Sequence, residues 1–225
     1  MLTASRPQAI LFDLDGTLVD TASEFVTVLQ QMRRARHLED IPNERIRAVV
    51  SNGAAGMIAL AFNCTPDMPQ FEALRDEFLD AYEHQLGSSA RPYEGVRLLL
   101  QDLRIQHIPW GVVTNKMRRF AEPLMQAMAF DPPAAALITP CDVNEPKPHP
   151  EAILAGCSLL QCQSAQAIYV GDHVRDIEAG KRAGCYTIAA AYGYLSPEED
   201  PALWGADKVV SSSIELNTVI RQLIQ

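Results

Sequence analysis

The chain has 225 residues, 48% hydrophobic and 21% charged, with a formal charge of −9 at neutral pH. That is the composition of an ordinary globular protein, long enough for one domain of good size or a core with a smaller insertion. It argues against a nucleic-acid surface, since basic residues cluster only in pairs such as Arg33-Arg34 and Arg118-Arg119. It also argues against a membrane span, since no apolar run nears the ~20 residues required.

The first predicted element is a strand over about 8–13, where Ile10, Leu11 and Phe12 form an apolar run that ends on Asp13 and Asp15. Two carboxylates at the end of a buried strand are costly unless paired, hydrogen-bonded or bound to a cation, and Gly16 permits a sharp turn after them. A helix follows. Thr21-Ala22-Ser23-Glu24 matches a capping box with Thr21 as N-cap, and Phe25, Val28, Leu29 and Met32 recur at helical spacing. The helical pattern continues over 43–62 and 69–86, punctuated by Pro42, Gly53, Pro66 and Pro69.

Gly87 to Pro92 reads as a linker, and from there strands and helices alternate. Strands are predicted at 109–115, 136–139, 167–172, 185–192 and 208–211. Helices are predicted at 117–129, 150–160, 174–183 and from about 213. Alternation of this kind implies an α/β fold with a parallel sheet covered on both faces, and the first strand must join that sheet. The expected organisation is a core of residues 1–17 and 91–225 with a helical insertion, 18–90, after strand one. The five cysteines, odd in number and without a Cys-x-x-Cys pair, read as reduced thiols rather than a zinc site. No signal peptide is visible, so a cytoplasmic protein is expected.

Open parallel sheets bind ligands outside the C-terminal ends of their strands. At those ends stand Asp13 and Asp15, then Thr114 and Asn115, then Asp172 with Asp176 on the following helix; Lys147 sits between two prolines in a loop. Each has a plain structural reading: an N-cap for Asp172, a surface lysine for Lys147, a turn for Thr114-Asn115. Their joint occurrence at strand ends points instead to one site.

The segments "DLDGT" (13–17), "VVTN" (112–115), "PKP" (146–148) and "GDHVRD" (171–176) resemble, in that order, the motifs of the haloacid dehalogenase superfamily of phosphotransferases. The resemblance covers essentially the whole chain. It implies a Rossmann-like core with a helical cap hinged near 16–20 and 87–92. It further implies that Asp13 is a nucleophile forming an aspartyl-phosphate, and that Asp13, the Asp15 backbone carbonyl and Asp172 hold Mg²⁺. Lys147 would neutralise charge beside the phosphoryl group. Thr114 and the Asn115 backbone would donate hydrogen bonds to it. Asp176 would hold metal-bound water or orient Lys147. Asp15 would protonate the leaving oxygen and then deprotonate the attacking water. Dehalogenating members lack an acid there, so Asp15 favours phosphoryl transfer. Where many relatives carry Asn, this chain has Arg175, read either as a solvated helix residue or as a contact to an anionic substrate or the cap.

Within the family the chain is most similar to the phosphoglycolate phosphatase group, closest to the branch of N-acetylmuramic acid 6-phosphate phosphatases. The expected partner is therefore a small phosphorylated metabolite, 2-phosphoglycolate or N-acetylmuramic acid 6-phosphate, with no nucleic acid or membrane, and a monomer or homodimer. Both esters carry a carboxylate, which a cation on the cap would suit. Asn52 and Gly53, in "SNGAAGM", are candidate substrate contacts, although an ordinary helix junction needs Gly just as much. Arg91, Tyr93 and Lys116 are weaker candidates. His149 and His173 read as spacers, and Trp110 and Trp204 as core packing. The rival readings are a β-phosphoglucomutase-like sugar phosphomutase and a non-catalytic binding module.

Overall fold

The computed structural model describes residues 6–224. Its centre is β1 (Ala9–Phe12), every residue of which is fully buried, as expected of a parallel strand covered on both faces. Around it a six-stranded parallel sheet is built from β4 (Trp110–Val113), β5 (Ala136–Ile138), β6 (Ala167–Gly171), β7 (Tyr186–Ala190) and β8 (Lys208–Val210), in the order β5-β4-β1-β6-β7-β8. Side chains alternate between the faces. Ile10, Phe12, Val112 and Val170 enter one apolar cluster, while Leu11, Val113 and Tyr169 enter the other. The chain runs outward from β1 through β4 to β5, then returns to β6 on the opposite side of β1. The C-terminal ends of β4, β1 and β6 therefore flank a switch point, where open α/β sheets form ligand crevices.

The helices over the sheet are α5 (Val96–Ile105), α6 (Arg118–Met128), α7 (Glu151–Leu159), α8 (Val174–Ala183) and α9 (Ser213–Ile224). The stretch after β1 is helical, with α1 (Ala22–Arg34), α2 (Asn43–Arg47), α3 (Gly53–Phe62) and α4 (Phe71–Gln85). These four helices pack around their own apolar cluster, in which Phe25, Phe78 and Tyr82 stack; Phe120 and Tyr194 join it from the sheet side. Among the described residues no helix is long and apolar enough to cross a membrane.

Two local expectations change. First, the sequence shows no strand in the insertion, yet β2 (Val19–Asp20) and β3 (Arg91–Pro92) pair antiparallel where the chain enters and leaves it. Two-residue strands carry no periodicity to read. Second, α1 begins at Ala22 as expected, but no capping box forms. The Thr21 hydroxyl donates instead to Asp15 Oδ1 at 2.6 Å, and Glu24 Oε1 accepts from the Ser89 and Ala90 amides at 3.2 and 3.0 Å. Glu24 is fully buried, its carboxyl pushed above the usual range by burial, and Oε2 finds no hydrogen-bond partner. The same residue types that suggested a local cap tie the two connections of the insertion together.

Candidate active site

The predicted residues at strand ends converge. Asp13 follows β1, Thr114 and Asn115 follow β4, and Asp172 follows β6. Asp176 enters through the first turn of α8. Its Oδ2 accepts from the His173 amide at 3.1 Å, while His173 Nδ1 accepts from the Arg175 amide at 3.1 Å, so a reciprocal cap fixes the helix start. His173, read above as a spacer, is that N-cap. Burial, with the Arg175 charge behind it, pushes its imidazole down to about 4.

Lys147 is the hub. Its side chain is 1% exposed, and Nζ lies 2.9 Å from Asp13 Oδ1, 2.7 Å from Asp176 Oδ1 and 2.9 Å from both the Tyr169 hydroxyl and the Val113 carbonyl. Burial works against the ammonium, but Asp13 and Asp176 outweigh it and hold Lys147 above its usual range. The Asn115 side chain clasps the Lys147 backbone from both sides, Nδ2 donating to the carbonyl at 2.9 Å and Oδ1 accepting from the amide at 3.1 Å. That clasp moors the proline-bounded loop to the end of β4.

Asp13, Asp172 and Asp176 each place an oxygen within 4.8 Å of the others. Asp172 is 1% exposed, and its carboxyl is raised well above the usual range by burial, then by Asp13 and Asp176. Burial likewise raises Asp176. Three carboxylates faced by one ammonium leave negative charge uncompensated in a nearly dry site, which suits a small hard divalent cation such as Mg²⁺. The surrounding backbone presses on the trio. A Cβ at Gly16, where φ is +80°, would fall 2.1 Å from Asp172 Oδ2, and one at Gly193 would fall 2.5 Å from the same atom. Gly16→Ala should therefore displace Asp172 and lower kcat about 100-fold; activity within threefold of the parent would contradict this account. Asp176, read from the sequence as holding metal-bound water or orienting Lys147, bonds that lysine at 2.7 Å and also stands within the acidic trio.

Asp15 is differently partnered. Lys116 Nζ lies 3.0 and 3.1 Å from its two carboxylate oxygens, and the Thr21 hydroxyl also bonds Oδ1. The two acids of "DLDGT" thus face different cations, Lys147 for Asp13 and Lys116 for Asp15.

These groups open on a cavity of about 410 Å³, lined from the sheet side by Asp13, Asp15, Thr114, Asn115, Lys116, Lys147, His173, Arg175 and Asp176. The insertion contributes Phe25, Val50, Ser51, Gly53, Ala54, Met57, Phe78, Leu79 and Tyr82, none of them charged. The cation imagined on the cap is thus absent from this wall. Gly53 lines the cavity, but Asn52 is exposed and does not; Ser51 does, and its hydroxyl lies 3.3 Å from Asp172 Oδ2. A one-residue offset within a helix junction leaves no trace in sequence. Arg175 reaches the insertion, donating to the Ser51 carbonyl at 2.6 Å.

Arg91, Tyr93 and His149 stand off the cavity wall. Arg91 is exposed in β3, and the Tyr93 hydroxyl accepts from Arg47, which pairs with Asp20. His149 faces Glu145. Trp110 is buried edge-on to Phe12 and Phe130. Trp204 is only partly buried, its ring 6.4 Å from that of His173.

The family pattern of the haloacid dehalogenase-like hydrolases matches residues 10–190. A Pseudomonas aeruginosa protein named N-acetylmuramic acid 6-phosphate phosphatase is 45% identical over 215 residues, 96% of this chain and 95% of that protein. A phosphoglycolate phosphatase of Xanthomonas campestris is 38% identical over 210 residues, 93% and 95% of the two chains. A crystal structure of a predicted phosphoglycolate phosphatase from Haemophilus somnus shares the fold, with a TM-score of 0.81 at 23% identity over 96% of this chain and 99% of that one.

Proposed function

Since the chain belongs to the haloacid dehalogenase-like hydrolases and is a phosphatase of that family, we propose that it hydrolyses a small carboxylated phosphomonoester through an aspartyl-phosphate on Asp13, with Mg²⁺. The substrate we favour is N-acetylmuramic acid 6-phosphate, with 2-phosphoglycolate as its competitor. The observation that carries the mechanism is the division of labour between two acids at one strand end, Asp13 on Lys147 and Asp15 on Lys116.

In the first half-reaction Asp13 attacks phosphorus, the ester P–O bond breaks, and Asp15 gives a proton to the leaving oxygen. In the second, Asp15 takes a proton from water as that water attacks the acyl phosphate, releasing phosphate and regenerating Asp13. Lys147 holds Asp13 in place and offsets phosphoryl charge. Thr114 lines the cavity beside it, with its hydroxyl accepting from the Lys116 amide at 3.1 Å. Asp13, the Asp15 backbone carbonyl and Asp172, with Asp176 beside them, would hold Mg²⁺, which would supply charge neutralisation to the phosphoryl oxygens. The breadth of the cavity and its apolar wall favour the amino sugar acid over the two-carbon acid.

Phosphate release with Mg²⁺ across N-acetylmuramic acid 6-phosphate, phosphoglycolate, glucose 6-phosphate and β-glucose 1-phosphate tests the reading. The first should exceed the second by at least about tenfold in kcat/KM; the reverse order would move the assignment to phosphoglycolate. Consumption of β-glucose 1-phosphate without phosphate release would identify the phosphomutase alternative. Chelation by EDTA should abolish turnover and Mg²⁺ restore it. At 100-fold over its Kd, Mg²⁺ should add about 2.7 kcal/mol of stability, seen as a rise in Tm of roughly 5–10 °C. Turnover that survives EDTA would sink the cation site.

A further inference from the structure

Three cations line the cavity, and each is engaged. Lys147 is engaged by Asp13 and Asp176, and Arg175 by Ser51 and His173. Lys116 holds the acid that must face the leaving oxygen. Its ammonium occupies both oxygens of Asp15, donates to the Tyr82 hydroxyl at 2.8 Å, and sits 5.1 and 4.7 Å from the ring centres of Phe25 and Tyr82. Its side chain is only 7% exposed.

This pairing obstructs the proposed chemistry. Oδ1 of Asp15 carries both Lys116 and Thr21, and Oδ2 carries Lys116, so three of the roughly four acceptor positions of the carboxylate are taken before the leaving oxygen arrives. Yet Lys116 stands among aromatic rings with little water, and an ammonium buried without an anion is strongly disfavoured. It can release Asp15 only for another anion. The insertion's cavity-lining residues carry no charge, and Glu24, the insertion acid that acts on Lys116 from behind that wall, has Oε1 held by the Ser89 and Ala90 amides, so the anion that can enter the cavity itself comes with the ligand. The four-carbon lysine stem allows the head group to swing while its body stays packed.

Resting on the phosphatase reading, we propose that Lys116 recognises a carboxylate on the leaving alcohol, exchanging Asp15 for it, and so frees Asp15 most fully for esters that carry a carboxylate besides the phosphate. The exchange swaps one ammonium–carboxylate pair for another and breaks no covalent bond. It assigns to the sheet side the task expected of a cap cation, and it lets carboxylate recognition raise turnover as well as binding.

The test uses two pairs of esters that differ in the carboxylate: N-acetylmuramic acid 6-phosphate against N-acetylglucosamine 6-phosphate, and phosphoglycolate against ethyl phosphate. The parent protein should prefer the carboxylated member of at least one pair by about 100-fold in kcat/KM, and the pair that responds identifies where the carboxylate comes from. In Lys116→Met the preference should fall below about fivefold, through loss on the carboxylated ester, and Lys116→Arg should restore much of it. Equal losses on both members would overturn the proposal, since Lys116 would then serve the phosphoryl group or merely hold the insertion down. Absence of any preference in the parent protein would overturn it without recourse to a variant. Failure to release phosphate from all four esters would instead bring down the substrate reading beneath it.

Discussion

Asp13→Asn is expected to abolish turnover while leaving the fold intact. The amide has the shape of the carboxylate but no charge to attack phosphorus, and loss of a covalent nucleophile removes on the order of 10⁴-fold or more of kcat. The fold should tolerate the change for an identifiable reason. Asp13 belongs to a crowded trio with Asp172 and Asp176, so its neutralisation relieves repulsion, while the amide oxygen can still accept from Lys147. Thermal unfolding without added metal should show a Tm equal to or above that of the parent. A variant retaining more than about a tenth of parental kcat would exclude the covalent route, since no uncharged amide could carry it.

Lys147→Met should damage both activity and stability. The ammonium is enclosed by four oxygens, two of them from carboxylates. Removing it leaves Asp13 and Asp176 facing each other with no cation, and an orphaned buried charge costs about 3 kcal/mol. For a chain of this size that corresponds to a Tm lower by roughly 6–12 °C. The drop should be largest in EDTA and shrink in saturating Mg²⁺, which partly replaces the missing charge. The kcat should fall at least about 100-fold, because Lys147 also faces the developing phosphoryl charge. A Tm in EDTA within 1 °C of the parent would show that the buried acids do not depend on this lysine.

Much of this site was legible because its parts follow buried strands. Asp13, Thr114 and Asp172 each terminate an apolar run, and a parallel sheet brings such ends to one edge whatever the details of the loops. Lys116 was harder to weigh. It stands next to Thr114-Asn115, but a lysine after a strand is ordinary, and its pairing with Asp15 spans 101 positions. Ser51 and Asn52 could not be told apart for a similar reason: a short helical turn and the start of α3 decide which side chain faces Asp172. Arg175 showed itself as an odd residue in its motif, and only the approach of Ser51 gives it a role.

By itself, then, the sequence determined the alternating core, the helical insertion after the first strand and the acids and lysine of the four motifs. All of these rest on periodicity and on residues a few positions apart. Tertiary structure decided which local possibilities were used. Thr21 and Glu24 had the spacing of a helix cap, yet the fold directs one to Asp15 and the other to Ser89 and Ala90, 65 and 66 positions away. It also gave the cavity an uncharged cap wall and placed its cations on the sheet side. The physical reason is that a hydrogen-bonding side chain goes where its burial is best compensated, and that competition is settled only once distant segments meet.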